Sequence, residues 1–244
     1  MMSVFADRVV VITGASSGIG KAIALTLIDR GATVCLIGRD LDRLKTATAS
    51  ISAHKSRIFY DRADLLVDED IHRSIETIKS THERIDVLIH SAGEILLGNL
   101  DTAPIADFDR QYRLNVRAPY LLTQKLLPLL KASQGQIVFI NSSVCQNAKA
   151  GIGQYTATKQ ALKAIADCLR AEVNVDGVRV VSFYVGQTAT PMQAALYATA
   201  GKLYQPDRLL QPQDIADTVL HTISLSPTAE VTDVYIRPLT VDSR

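Results

Sequence analysis

Tyr155 and Lys159 stand four residues apart in the stretch Gln154–Asn174, where Leu162, Ile165 and Leu169 recur at helical spacing. On a helix, positions i and i+4 share one face. An ammonium beside a phenol favours the phenolate, whose free pKa is about 10. The pair therefore predicts a tyrosine that gives or takes a proton near neutral pH. The same spacing suits an ordinary surface pair on an amphipathic helix, so the surroundings must decide. Ser142 follows the apolar run QIVFIN (Gln136–Asn141), thirteen residues before Tyr155, with Ser143 beside it. Asn115 lies in LNVRAPYLL, inside a longer helical pattern.

A second chemical signal stands near the N-terminus. Val9–Ile12 is a short apolar run suited to a strand buried on both faces. Gly14, Gly18 and Gly20 follow, and then Ile19, Ile23, Leu27 and Ile28 take up helical spacing until Gly31, a residue suited to the left-handed position after a helix. A strand, a glycine turn and a helix N-terminus present unpaired N–H groups and a positive dipole end to a phosphate. The alternative is a tight turn that needs glycine for backbone reasons alone. The spacing is G-x-x-x-G-x-G rather than the general dinucleotide pattern G-x-G-x-x-G.

Composition narrows the classes. The chain has 244 residues, 47% hydrophobic and 21% charged, with a formal net charge of +1. That supports a sizeable core and gives no overall drive toward nucleic acid or an anionic membrane. No apolar run reaches the roughly 18 residues of a membrane span. The start, MMSVFADR, lacks the character of a signal peptide. Cys35, Cys145 and Cys168 fit no zinc or redox spacing and read as reduced thiols of a cytoplasmic protein. His54, His72, His82, His90 and His221 are scattered, so no metal site is expected.

Positioning elements alternate along the chain. Strands are expected at Thr33–Ile37, Arg57–Tyr60, Asp86–His90, Gln136–Asn141, Val178–Val185 and Val231–Ile236 after the first. Helical patterns lie between them: Leu41, Leu44 and Ile51 with Asp40 as N-cap; Ile71, Ile75 and Ile78; a long region from Ile105 to Lys131 with a kink or end near Pro119 and Pro128; Gln154–Asn174; and Asp214–Leu225. This order predicts one α/β domain over residues 1–244, a doubly wound Rossmann-type parallel sheet of seven strands with helices on both faces. Ligands of such folds sit beyond the carboxyl ends of the strands.

Thr13–Gly20, together with Asn115, Ser142, Tyr155 and Lys159 in their order and spacing, resembles the short-chain dehydrogenase/reductase family over nearly the whole chain. The resemblance implies catalytic roles for Asn115, Ser142, Tyr155 and Lys159. Tyr155 would be the proton donor or acceptor, and Ser142 would hold the substrate oxygen. Lys159 would favour phenolate and bind the nicotinamide ribose, while Asn115 would hold a water linking Lys159 to solvent. Counting from QIVFIN and back from Tyr155 selects Ser142 over Ser143. The cofactor would rest on Gly14, Ser16, Ser17, Gly18, Ile19, Gly20, Ser91, Ala92 and Gly93, on the adenine-side pair Asp64 and Leu65, and on Gly186 and Thr188 near the carboxamide. Two positions depart from the pattern. His90 stands where the family usually has Asn, and reads as a core or turn histidine; Val185-Gly186 replaces Pro-Gly.

The chemistry at the end of the second strand favours NADP(H). An NAD site needs a carboxylate there for the ribose 2′-hydroxyl. That position is Gly38, and Arg39 after it can fork onto a 2′-phosphate, with Ser16 adding a hydroxyl. Asp40 would be occupied as an N-cap. The expected activity is hydride transfer between NADP(H) and a mid-sized, partly apolar carbonyl or secondary alcohol. The alternatives are a non-catalytic NADP-binding sensor or scaffold, and an isomerase or dehydratase on the same fold. Family geometry implies a substrate pocket from Glu94–Leu97, Cys145–Gly153 and Gln187–Tyr204, with Thr190–Leu209 as a mobile lid or a fixed helical cap. Resemblance also implies a homodimer or homotetramer through the helices holding Ala118–Leu130 and Gln154–Asn174.

Overall fold

The computed structural model describes residues 4–51 and 55–239. His54 and Met1–Ser3 of the N-terminal stretch lie outside the described residues. Seven strands form one parallel sheet: β1 (Val9–Thr13), β2 (Thr33–Gly38), β3 (Ile58–Arg62), β4 (Val87–His90), β5 (Gln136–Ser142), β6 (Arg179–Val185) and β7 (Asp233–Ile236). Their order is β3-β2-β1-β4-β5-β6-β7. This is the Rossmann-type doubly wound sheet, and its strand order reverses between β1 and β4.

Among the described residues there are eight α-helices, most of them packed on the two faces: α1 (Gly18–Asp29), α2 (Leu41–Ala47), α3 (Asp68–Thr81), α4 (Ile105–Tyr112), α5 (Ala118–Ser133), α6 (Gly153–Val173), α7 (Pro191–Thr199) and α8 (Pro212–Ile223). Alternate strand residues serve opposite layers. Val10, Ile12, Val34 and Leu36 pack with Ile23 and Leu27 of α1 and with Ile215 and Val219 of α8. Val11, Cys35 and Ile37 pack with Ile71 and Ile75 of α3, Leu122 and Leu126 of α5, and Leu162 of α6. Both faces of the central strands must therefore be apolar, which explains runs such as VVVIT and TVCLI. Among the described residues no helix is long and apolar enough to cross a membrane.

Some boundaries differ from expectation. Helix α2 ends at Ala47, leaving Ile51 outside it. Thr48 turns its hydroxyl back to the Leu44 and Lys45 carbonyls and bonds the Tyr60 hydroxyl at 2.7 Å, which competes with further helix. The third strand is Ile58–Arg62 rather than Arg57–Tyr60, because Lys55–Arg57 forms a short 3₁₀ turn. The long helical region is divided by a π turn at Arg113–Arg117, closed by a bond from Ala118 N–H to the Arg113 carbonyl. Pro119 has no N–H to give the Asn115 carbonyl one α-helical turn back, so the irregularity falls beside it. No end occurs at Pro128; α5 runs on to Ser133. The segment expected as a lid or cap contains α7 and a 3₁₀ turn at Pro206–Arg208.

Candidate active site

The glycine turn beyond β1 has no room for side chains. Gly14 and Gly18 hold φ of +70° and +54°, where only glycine is comfortable. A Cβ on Gly14 would sit 2.7 Å from Ala92 Cα, and one on Gly20 would sit 2.5 Å from the Gly14 carbonyl oxygen. The backbone need and the phosphate reading therefore coincide. Helix α1 begins at Gly18, and its N-cap, Ser17, makes no side-chain cap bond. The first turn carries no acidic residue, so its amide groups face the cleft without a competing anion. Thr13 pins the neighbouring loop, accepting from the Ser91 and Ala92 amides at 3.1 and 3.2 Å.

A cleft at the carboxyl ends of β1, β2 and β4 is lined by Gly14, Ser16, Ser17, Gly18, Ile19, Gly20, Arg39, Leu65, Ser91, Ala92 and Gly93. Sequence reasoning placed all of these in the cofactor site. Asp64 is not in the wall: its Oδ1 accepts from Leu66 N–H at 3.0 Å, closing its own turn, while Ala63 and Leu65 on either side face the cleft. Asp40 caps α2, accepting from Arg43 N–H at 3.0 Å. Arg39 is exposed and makes no hydrogen bond or ion pair among the described residues. Gly186 and Thr188 lie beyond β6, where the Thr188 hydroxyl donates to the Gly186 carbonyl at 3.0 Å.

The catalytic candidates gather beside the cleft. Lys159 is buried and donates from Nζ to the Ile140 carbonyl at 3.1 Å, with Nζ 5.8 Å from the centre of the Tyr155 ring. Ser142 is buried at the tip of β5, its hydroxyl accepts from Val144 N–H at 3.3 Å, and it faces the Tyr155 phenol closely enough to pull its pKa down. Electrostatics here corrects the expected easy ionisation. Burial pushes the Tyr155 phenol up to about 12, against a downward pull from the Ser142 hydrogen bond. Burial also pushes the Lys159 ammonium down to about 8. At both groups desolvation of the charged form dominates.

Asn115 sits in the π turn with its side chain committed. Its amide nitrogen donates to the Glu94 carbonyl at 2.9 Å and to Thr158 Oγ1 at 3.1 Å, and its oxygen accepts from Glu94 N–H at 2.9 Å. The amide clamps the loop after β4 to α6. A water linking Lys159 to solvent would be held by the second lone pair of Oδ1 or by the Asn115 main-chain carbonyl, which Pro119 leaves without its α-helical donor. His90 is a core histidine. Its Nε2 meets Thr123 Oγ1 at 2.8 Å, its ring stacks on Phe139 at 5.0 Å, and burial pushes its pKa down to about 3.

Sequence reasoning missed Ile37, Ala63 and Leu114 in the cleft wall and Thr158 behind it, and assigned Thr190, Pro191 and Met192 to the substrate pocket and lid rather than to this cleft. A signal for part of this was present. Thr190-Pro191 is an N-cap followed by an N1 proline, and Thr190 Oγ1 does accept from Gln193 N–H at 3.2 Å to start α7. Thr190 touches the glycine turn, its Cγ2 lying 3.0 Å from where a Gly18 Cβ would be. On the outer side, Tyr197 donates to Gln187 Oε1 at 3.3 Å and its ring meets Tyr204 edge-on at 5.6 Å.

Known proteins resemble this chain in sequence and fold. A family model described as short chain dehydrogenase matches residues 8–201. An uncharacterised oxidoreductase of Staphylococcus aureus (strain USA300) is 30% identical, with 98% of this chain and 100% of that protein covered. The structure of an alcohol dehydrogenase from the archaeon Thermococcus sibiricus, complexed with 5-hydroxy-NADP, superposes with a TM-score of 0.85 at 26% identity, covering 95% of this chain and 97% of that one. A metagenomic short-chain oxidoreductase in complex with NADP gives 0.84 at 30% identity, covering 98% of this chain and 100% of that one.

Proposed function

The chain belongs to the short-chain dehydrogenase family, and we propose that it is an NADP(H)-dependent oxidoreductase interconverting a carbonyl compound and a secondary alcohol. Gly93 carries the reading. It lines the glycine cleft, and a Cβ on it would lie 3.2 Å from Asn115 Oδ1 and 3.8 Å from Lys159 Nζ. The phosphate-ready cradle and the tyrosine–lysine helix thus share a wall. The cradle also fits the cofactor chemically, through backbone amide groups at the α1 N-terminus and the uncommitted Arg39 guanidinium beyond β2. The archaeal alcohol dehydrogenase and the metagenomic oxidoreductase hold 5-hydroxy-NADP and NADP, respectively.

Bound NADP(H) supplies or accepts the hydride. Tyr155 gives its phenolic proton to the substrate oxygen during reduction and takes one from the alcohol in reverse. With its pKa at about 12 the phenol stays protonated through the neutral range, the form that reduction requires. Ser142 holds the substrate oxygen against Tyr155. Lys159 would bind the ribose hydroxyls and offset developing phenolate charge. Asn115 keeps the loop after β4 at the distance the cleft needs. Helix α7 serves as the lid over the substrate side, and α5 and α6 pair between subunits of a dimer or tetramer, which light scattering checks.

Titration with NADPH and NADH, followed by NADPH oxidation across ketones, aldehydes, quinones and keto-esters, tests the reading. Tighter binding of NADPH and its consumption with some of these compounds is expected. Binding without consumption would indicate a sensor or scaffold. Conversion of an added compound without net NADPH loss would indicate an isomerase or dehydratase.

A further inference from the structure

Asn141 enters the sequence reading only as the last residue of an apolar run, yet its buried side chain, 1% exposed, holds three groups together. Its Oδ1 accepts from Ser142 N–H at 2.8 Å and from the Cys145 thiol at 3.4 Å. Its Nδ2 donates to the Lys159 carbonyl oxygen at 3.3 Å. One residue back, the Ile140 carbonyl accepts from Lys159 Nζ at 3.1 Å. The tip of β5 is therefore tied twice to the turn of α6 that carries Tyr155 and Lys159, once by its main chain and once by the Asn141 amide.

We propose that Asn141 is a positioning residue of the reaction, setting the approach of Ser142 to the Tyr155 phenol by locking the β5 tip onto α6. The inference rests on the oxidoreductase reading above. A primary amide presents a donor and an acceptor in one plane at short reach. Alanine offers neither, and aspartate keeps the acceptor but loses the donor. Because the site is buried, water cannot replace a missing partner, and the Ser142 amide or the Lys159 carbonyl would re-aim to find one. A displacement of about 1 Å at reacting groups costs on the order of 10²-fold in rate. Glycine or a small apolar residue could end the strand equally well, so strand formation alone does not account for a three-partner amide here.

The test compares Asn141→Ala and Asn141→Asp with wild type in NADPH binding, in kcat and KM for carbonyl reduction, and in the pH dependence of alcohol oxidation. Asn141→Ala should lower kcat by about 10- to 100-fold, with KM and the NADPH Kd changed less than about threefold. The titratable groups facing the phenol are Lys159 and Cys145, and the Ser142 hydrogen bond holds it down. Loosening that bond raises the phenol, so the rise of alcohol oxidation with pH should move to higher pH. Asn141→Asp keeps the length and the acceptor for Ser142 N–H, which guards against simple misfolding. It should lose less kcat yet move the profile upward as well, because a nearby carboxylate disfavours phenolate. A kcat within twofold of wild type and an unmoved profile in both variants would overturn the proposal. So would a loss confined to melting temperature and KM. A wild type that reduces no carbonyl compound would fail the parent reading instead. The ¹³C resonance of labelled Tyr155, assigned with Tyr155→Phe, then tests positioning without turnover: displaced in Asn141→Ala if the inference holds, unchanged if it does not.

Discussion

The β5 tip with α6 and the helix α7 are built in opposite ways. Asn141, Ser142 and Lys159 are all buried, and each is hydrogen-bonded to a neighbouring element. Helix α7 is apolar in Pro191, Met192, Leu196 and Tyr197, yet none of its nine residues is buried. It is held by the Thr190 cap, the Tyr197–Gln187 bond and contact with the glycine turn. Proton-transfer groups need sub-ångström placement, which packed elements supply. A segment that must admit and release a molecule needs the low local stability that sparse burial gives. On the proposed function, the difference teaches that chemistry and selection would be housed in regions of unlike burial.

The contrast can be broken at the rigid end first. Ser142→Ala should reduce kcat by about 10²- to 10³-fold, the usual cost of one pre-placed donor, while Ser143→Ala should stay within a few-fold. Steady-state kinetics on both variants decide, and the reverse ranking would move the catalytic serine by one residue. At the cleft, Arg39→Ala should weaken NADPH about 10- to 150-fold, the worth of a charge-assisted hydrogen bond of about 1.5–3 kcal/mol, and leave NADH nearly unchanged. Gly38→Asp should sharpen this by favouring NADH; its Cβ would lie 3.2 Å from the flexible end of Leu44, a contact that can relax. Fluorescence titration with both cofactors reads both variants, and equal losses for NADPH and NADH would deny Arg39 its role.

His90 tests the buried layer through pH. Its pKa falls from 6.5 to about 3 on burial. Between those values the unfolded chain binds the extra proton, so stability declines as pH drops through that window. His90→Asn should flatten this decline in urea melts from pH 7 to 4, while losing the Phe139 stack at neutral pH. An unchanged acid limb would mean that the ring is protonated in the folded state. The smallest effect belongs to α7. Thr190→Ala removes a cap worth about 0.5–2 kcal/mol and should quicken amide exchange in α7 while leaving α6 protected. Equal acceleration in both helices would erase the contrast.

Fold and chemistry were unequally legible in the sequence. The five inner strands could be read because each serves two apolar layers, whereas β3 and β7 pack on one face only, and α3 could be read because Ile71, Ile75 and Ile78 repeat at helical spacing. The glycine turn, Arg39 and the Asp40 cap were legible because each follows from local chemistry at a strand end. Helix α2 misled, since Ile51 continues its apolar pattern while Thr48 ends it by a side-chain bond to Tyr60, twelve residues away. The π turn was hidden because Pro119 marks only that something changes, not which hydrogen bonds rearrange. The balance of burial against charge at Tyr155 depends on the whole packing around it, and no spacing encodes that. Asn141 was invisible for the same reason: its partners Ser142, Cys145 and Lys159 meet only once β5 and α6 are packed.

The central claim is that the Tyr155 hydroxyl moves the proton that accompanies hydride transfer. Tyr155→Phe removes that oxygen and leaves the ring, the fold and the cleft. On a carbonyl compound reduced by wild type, stopped-flow NADPH oxidation should fall by about 10²- to 10⁴-fold, with the NADPH Kd within twofold of wild type. Retention of most of the wild-type rate by Tyr155→Phe would contradict the account.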